Sequence, residues 1–214
     1  MTSLKKNFIY NVVYQMLLII LPLITAPYIA RTLGAEGVGI YSYTYSVAQY
    51  FLLFAMLGIS NHGNRSIAAV REDDCKLSRT FWSIYSIQAF MYVLAIIAYL
   101  IYLFAFNVDN KTIVAIQFIY VVSGALDISW YFFGTEQFKI TVTRNMIIKI
   151  ATVILMFIFV HNPGDLAKYT VIMAGGTFLS QAYLWTYIFR QVDVVKVNWI
   201  DIKKHIKEVI ILFI

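Results

Sequence analysis

Six stretches of this chain are apolar and long enough to be read as membrane crossings, and that pattern leaves few architectures open. A hydrocarbon core about 30 Å thick asks for about 20 mostly apolar residues at a rise of about 1.5 Å each. Runs of this kind cover 8–30, 38–59, 81–106, 112–133, 145–160 and 167–189, and a further one begins near Val209. Lipid offers no hydrogen bonds, so each run must satisfy its own backbone, which predicts an all-α integral membrane protein. Composition agrees, with 61% hydrophobic and 13% charged residues where soluble domains carry about 45–50% and about 25%.

The net charge of +6 raises the question of nucleic acid, but the basic residues fall in short clusters between apolar runs and form no continuous face. They read as topology. One set of connections holds Lys5, Lys6, Arg65, Arg71, Lys76, Arg79, Lys139, Arg144, Arg190, Lys196, Lys203, Lys204 and Lys207. The other holds Arg31, Lys111 and Lys168. Cytoplasmic loops retain positive charge, so the N-terminus is expected in the cytoplasm. The run after Lys6 is too long for a signal peptide and lacks a small-residue cleavage site, so the first span should itself direct insertion. Cys75, a lone cysteine in a polar loop, excludes a disulfide framework within the chain.

Short connections on the outer side, at 31–37, 107–111 and 161–166, predict antiparallel hairpins, with Pro163-Gly164 as a turn. Residues 1–190 then form one six-helix lobe and 191–214 a connector. In the connector Trp199, Ile202, Ile206 and Val209 share one side and Lys203, Lys204 and Lys207 the other, the pattern of an interfacial helix leading into a seventh span.

Few residues invite a functional reading. Asp127 lies within the fourth span, where a carboxylate needs a partner or a watery cavity. A structural or interfacial role and a cavity or ion-coupling role both remain open. Lys149, in the fifth span, either snorkels to the interface or binds an anionic head group. Arg65 follows the second span closely; its fork of donors suits a pyrophosphate, and a plain topological charge fits equally. Arg31 and Glu36 form either a loop ion pair or an outer gate. Asn11, Tyr14, Gln15, Ser42, Tyr43, Ser46 and Gln49 give the first two spans a polar character that implies water or a neighbouring helix. Pro22 and Pro27 predict a bend in the first span. Gly175, Gly176 and Ser180 read as a packing face.

The glycines of 34–39 follow no strand, so a nucleotide loop is rejected. His62, His161 and His205 have no ligand spacing, no metal site is expected, and no nucleophile motif argues for catalysis.

Three segments together, LPLITAPYIARTLGAEGVG at 21–39, GISNHGNR at 58–65 and DISWYFFGTEQFK at 127–139, resemble the polysaccharide-transport family of O-antigen and capsule flippases. That family shares a superfamily with MATE-type drug exporters and the lipid II flippase. The resemblance implies two six-helix lobes in a V around a central cavity, of which this chain supplies one. Family members are about twice as long, so the chain is expected to be a truncated form or an incomplete piece, and a lone lobe is not expected to transport. The implied substrate is an oligosaccharide on undecaprenyl pyrophosphate, moved chemically unchanged from the inner to the outer leaflet of the bacterial cytoplasmic membrane. Implied partners are membrane lipid, that glycan and other polysaccharide-assembly proteins, with no nucleic acid. No cofactor is implied, and coupling to a proton or sodium gradient stays open. Relatives often carry arginines in the first helix where this chain has Asn11, Tyr14 and Gln15. The anion contact would then pass to Arg65, Lys149 or the other lobe. Competing readings are a cation-coupled multidrug exporter on the same fold, a membrane enzyme acting on such glycans, and a non-transporting remnant.

Overall fold

In the computed structural model, the backbone is described over residues 3–211 and side chains over 15–16 and 19–211, and every regular element among them is helical. The elements are α1 (Ser3–Met56), α2 (Ile59–Val70), α3 (Asp74–Ala105), α4 (Lys111–Ala125), α5 (Ser129–Gly134), α6 (Phe138–Phe159), a 3-10 turn (Pro163–Asp165), α7 (Leu166–Ile188) and α8 (Trp199–Ile211). Three of the apolar runs reappear as helices long and apolar enough to cross a membrane: Asp74–Ala105, Lys111–Gly134 and Phe138–Phe159. α7 covers the sixth run, and the two arms of α1 cover the first and most of the second.

The connection expected at 31–37 is compressed to one residue. Helix continues through Pro22 and Pro27, and the departure from helical geometry falls at Gly34, with φ 72° and ψ 174°. A side chain is essentially barred from that region of backbone space, so glycine is what lets α1 divide into arms 3–33 and 35–56. A turn at Leu57-Gly58, with Gly58 at φ 67°, ends the long helix and starts α2.

α3 and α6 begin earlier than their apolar runs. Asp73 caps α3 by accepting the Lys76 N–H at 3.0 Å, which lets the helix start seven residues before 81. Before α7, Asp165 Oδ2 accepts the N–H groups of His161 and Asn162, each at 3.0 Å, and Lys168 closes on Oδ1 at 2.6 Å. The Lys168 contact and those two N–H groups hold the Asp165 carboxyl down at about 2.

α4 is the hub of the bundle, packed by α7, α1 and α3. Phe90, Leu94, Ile97 and Ile101 of α3 and Ile147, Ile150, Ile154 and Ile158 of α6 are exposed, which suits helices that meet lipid. Where helices touch most closely, glycine makes room. A Cβ on Gly176 would run into Thr152 between α7 and α6, and one on Gly124 would lie 2.5 Å from the Tyr92 hydroxyl between α4 and α3. Gly175, expected on the same packing face as Gly176, meets nothing within 4 Å.

Candidate functional site

The fourth apolar run does not stay helical to its end. α4 stops at Ala125 and α5 starts at Ser129, with Asp127 in the gap. The local residues make part of this turn themselves. Leu126 and Asp127 N–H donate to the Ser123 and Gly124 carbonyls, each at 3.1 Å, and Asp127 Oδ1 accepts the Ser129 N–H at 3.0 Å. A short side chain that bonds its own backbone two residues on is what asparagine and aspartate offer at such turns.

The carbonyls freed by the break need donors, and two long-range side chains supply them. Gln88 of α3, fully buried, donates to the Asp127 carbonyl at 2.9 Å and reaches those of Gly124 and Ala125 at 3.3 and 3.4 Å. Trp185 of α7 donates its indole N–H to the Leu126 carbonyl at 3.0 Å. Gln88 Oε1 in turn accepts the Trp130 N–H at 2.9 Å. Trp130 lies flat against α2 at Gly63, where a Cβ would come within 2.6 Å of the ring. The gap is therefore a braced turn, of the kind tolerated at membrane depth only where protein surrounds it.

Asp127 is half-buried and lines a cleft of about 550 Å³ that Tyr45, Ser46, Gln49 and Tyr50 of α1 share with Tyr92. Among the described residues no cation forms an ion pair with it. A second cleft, of about 260 Å³, runs between α6 and α7 and is lined by Lys149, Asn145, Thr152 and Ser180. Thr177 and Gln181, one turn apart on α7, line both clefts. A carboxylate and an ammonium thus occupy neighbouring recesses separated by one strip of α7, with hydroxyls and amides between them. Such a pair can hold a zwitterionic or sugar-phosphate ligand by opposite charges and share its hydroxyls among neutral donors.

Beside the smaller cleft sits a residue that the sequence reading assigned to a loop. Arg144 is 5% exposed and lies inside α6. Its Nη1 donates to the Ser180 carbonyl at 2.8 Å and to Gln181 Oε1 at 3.2 Å, and its Nη2 to Asn145 Oδ1 at 2.9 Å. Gln181 and Asn145, both cleft residues, are thus oriented by a guanidinium. The only sequence signal was its position one residue ahead of the apolar run.

The remaining candidates are scattered. Asn11 lies outside the described side chains, and Gln15 is exposed on the first arm of α1 and lines neither cleft. Arg65 does not extend the second span, because the turn at Gly58 intervenes; it is exposed on α2 and lines neither cleft. Arg31 and Glu36 flank Gly34, both exposed, and no ion pair joins them among the described residues. The histidines are less dispersed than expected. His62 and His205 both sit on helices, and their ring nitrogens meet at 2.8 Å.

Comparison with known proteins adds a family context. A family model described as "Polysaccharide biosynthesis protein" matches residues 4–212. A relative from Escherichia coli (strain K12), described as "Putative O-antigen transporter", is 29% identical over 204 residues, which is 92% of this chain and 47% of that protein. The chain spans about half the length of that relative. No solved structure matches the chain.

Proposed function

The chain belongs to the polysaccharide biosynthesis protein family, and on that footing we propose that it forms one six-helix lobe of a flippase for lipid-linked oligosaccharides. The observation that carries the reading is the pair of adjoining clefts, with Lys149 in one and Asp127 in the other. In this reading Lys149 takes the pyrophosphate of an undecaprenyl-linked unit, and Ser46, Gln49, Asn145 and Gln181 take sugar hydroxyls. The lipid tail stays in the bilayer. The N-terminus and the basic connections face the cytoplasm of a bacterial inner membrane, where the loaded substrate is presented. The lobe then works against a second one, rocking about the bound head group and leaving its covalent structure unchanged. Arg65 plays a topological role rather than a binding one, and Arg31 and Glu36 line neither cleft.

The test is complementation of a flippase-null bacterium by the gene at its full length. Surface polysaccharide should return in a strain with a matching glycan, and Lys149→Gln should prevent it while the protein still reaches the membrane. No restoration across several glycan backgrounds would remove the flippase reading. One observation favours a second reading, a cation-coupled exporter: Asp127 shares its cleft with Tyr45, Tyr50 and Tyr92, a setting that also suits an organic cation. Dye efflux abolished by Asp127→Asn, with surface polysaccharide untouched, would select it.

A further inference from the structure

Helix α8 is fastened to the body of the protein through two histidines 143 residues apart in the chain. His62 Nε2 and His205 Nδ1 lie 2.8 Å apart, with ring planes at 61°. At that separation one nitrogen carries the hydrogen and the other offers a lone pair. Ser66 Oγ, one turn along α2, stands 3.3 Å from the same His62 nitrogen. His62 is buried, and its neighbour Gly63 carries the Trp130 ring, so this half of the contact is rigidly seated. The α8 half is held more lightly. Val209 enters the apolar core, whereas Trp199, Ile200, Ile210 and Ile211 stay exposed.

The charged groups that act on the pair come from α8. Glu208 favours a proton on either ring, Asp201 favours one on His205, and Lys204 opposes it. α3 and α5 pack against α2, and α3 also packs against α8, yet among the described residues neither places a charged side chain on the rings. No third histidine, cysteine or carboxylate completes a metal site with the pair among those residues.

We propose that the His62–His205 contact is a proton-released latch, holding α8 on α2 while at least one ring is neutral and freeing it when both are charged. A second proton leaves two N–H groups facing each other and two cations in a partly buried site. Burial holds both rings below the usual histidine range, and the neighbouring His62 adds to this for His205. The sign follows. Docked rings prefer to be neutral, so docking is complete above the ordinary histidine value of about 6.5 and weakens as pH falls below it. Release takes up as many as two protons, so the docking equilibrium changes by up to about 100-fold per pH unit at the steepest point.

Hydrogen exchange followed by mass spectrometry on the full chain in lipid nanodiscs tests this between about pH 8 and pH 5, with rates corrected for intrinsic pH dependence. Peptides covering 199–211 should lose at least about tenfold protection on acidification, while those of α3 hold theirs. The double variant His62→Gln/His205→Gln keeps a donor and an acceptor but no titrating ring, and should keep α8 protected throughout. Single His205→Gln should at least halve the pH slope, and it provides the reading should the double variant not fold. A flat profile in the parent protein, or an undiminished drop in the variants, overturns the latch.

Discussion

Replacing Gln88 with leucine should cost more than any other single near-isosteric change in the core, because one amide serves both sides of the α4–α5 break. Leucine is close in volume and leaves no large cavity, so the loss is in hydrogen bonds. Two are short, to the Asp127 carbonyl and from the Trp130 indole, each at 2.9 Å, and two more carbonyls are met at 3.3 and 3.4 Å. A good bond contributes about 1 kcal/mol net, and each buried group left unmet costs a further 1–3 kcal/mol or so. Membrane bundles sit at the low end, near 0.6 kcal/mol per bond on average, because stranded groups find other partners there. The expected loss is therefore about 2–4 kcal/mol. For a chain of this size that lowers the unfolding midpoint by roughly 5–15 °C. Thermal unfolding of the detergent-solubilised protein, followed by tryptophan emission, measures it, with Tyr99→Phe as the comparison. That change removes only the bond from the Tyr99 hydroxyl to the Val114 carbonyl at 2.8 Å, and should cost about 1 kcal/mol. A Gln88→Leu shift no larger than that of Tyr99→Phe would refute the bracing role.

Gly34→Ala should destabilise by about 1–3 kcal/mol through backbone strain alone, since nothing lies within 4 Å of the added Cβ. Gly39→Ala, equally open but at ordinary helical φ, should be neutral or stabilise by about 0.5–1 kcal/mol, and the two melting curves decide the matter. Under the flippase reading, Lys149→Gln should weaken binding of undecaprenyl pyrophosphate to the full-length protein about 10- to 100-fold, from about 1.5–3 kcal/mol for a charge-assisted bond. Lys149→Arg should retain most of the affinity, and equal loss in both would argue against an anion contact. Asp165→Asn should speed amide exchange at His161 and Asn162. In the parent protein the same stabilisation is present at neutral pH and fades as pH falls from about 4 towards 2, the range between the free and folded carboxyl.

Much of the helical framework was legible because apolar run length is a local property: the segments around 81–106, 145–160 and 167–189 each became one helix, and Trp199, Ile202, Ile206 and Val209 announced α8. Punctuation was harder. Residues 31–37 look like a loop by polarity, yet Arg31, Leu33, Ala35 and Glu36 are good helix formers, and the helical geometry is interrupted by a kink at Gly34 alone. Asp127 favours a local turn, but the run 112–133 does not by itself say that the helix breaks there, because what sustains the break is Gln88 and Trp185, far away in sequence. Asp127 and Lys149 could be singled out as charges in lipid, but their adjoining clefts depend on Thr177 and Gln181 of α7. Arg144 and the His62–His205 contact escaped for the same reason. Burial and pairing across more than thirty residues are made by packing, and no spacing rule reports them.

The braced break also has an order in time. Chains emerge N-terminus first, so Gln88 leaves the ribosome 36–39 residues before the carbonyls it serves, whereas Trp185 follows the Leu126 carbonyl by 59. When the segment 111–134 enters the bilayer, α3 is already there to receive the carbonyls of Gly124, Ala125 and Asp127 as they arrive. That of Leu126 must wait for α7. A segment that would be a poor entrant alone, with a carboxylate and an interrupted backbone, comes in as the passenger of the helix made just before it.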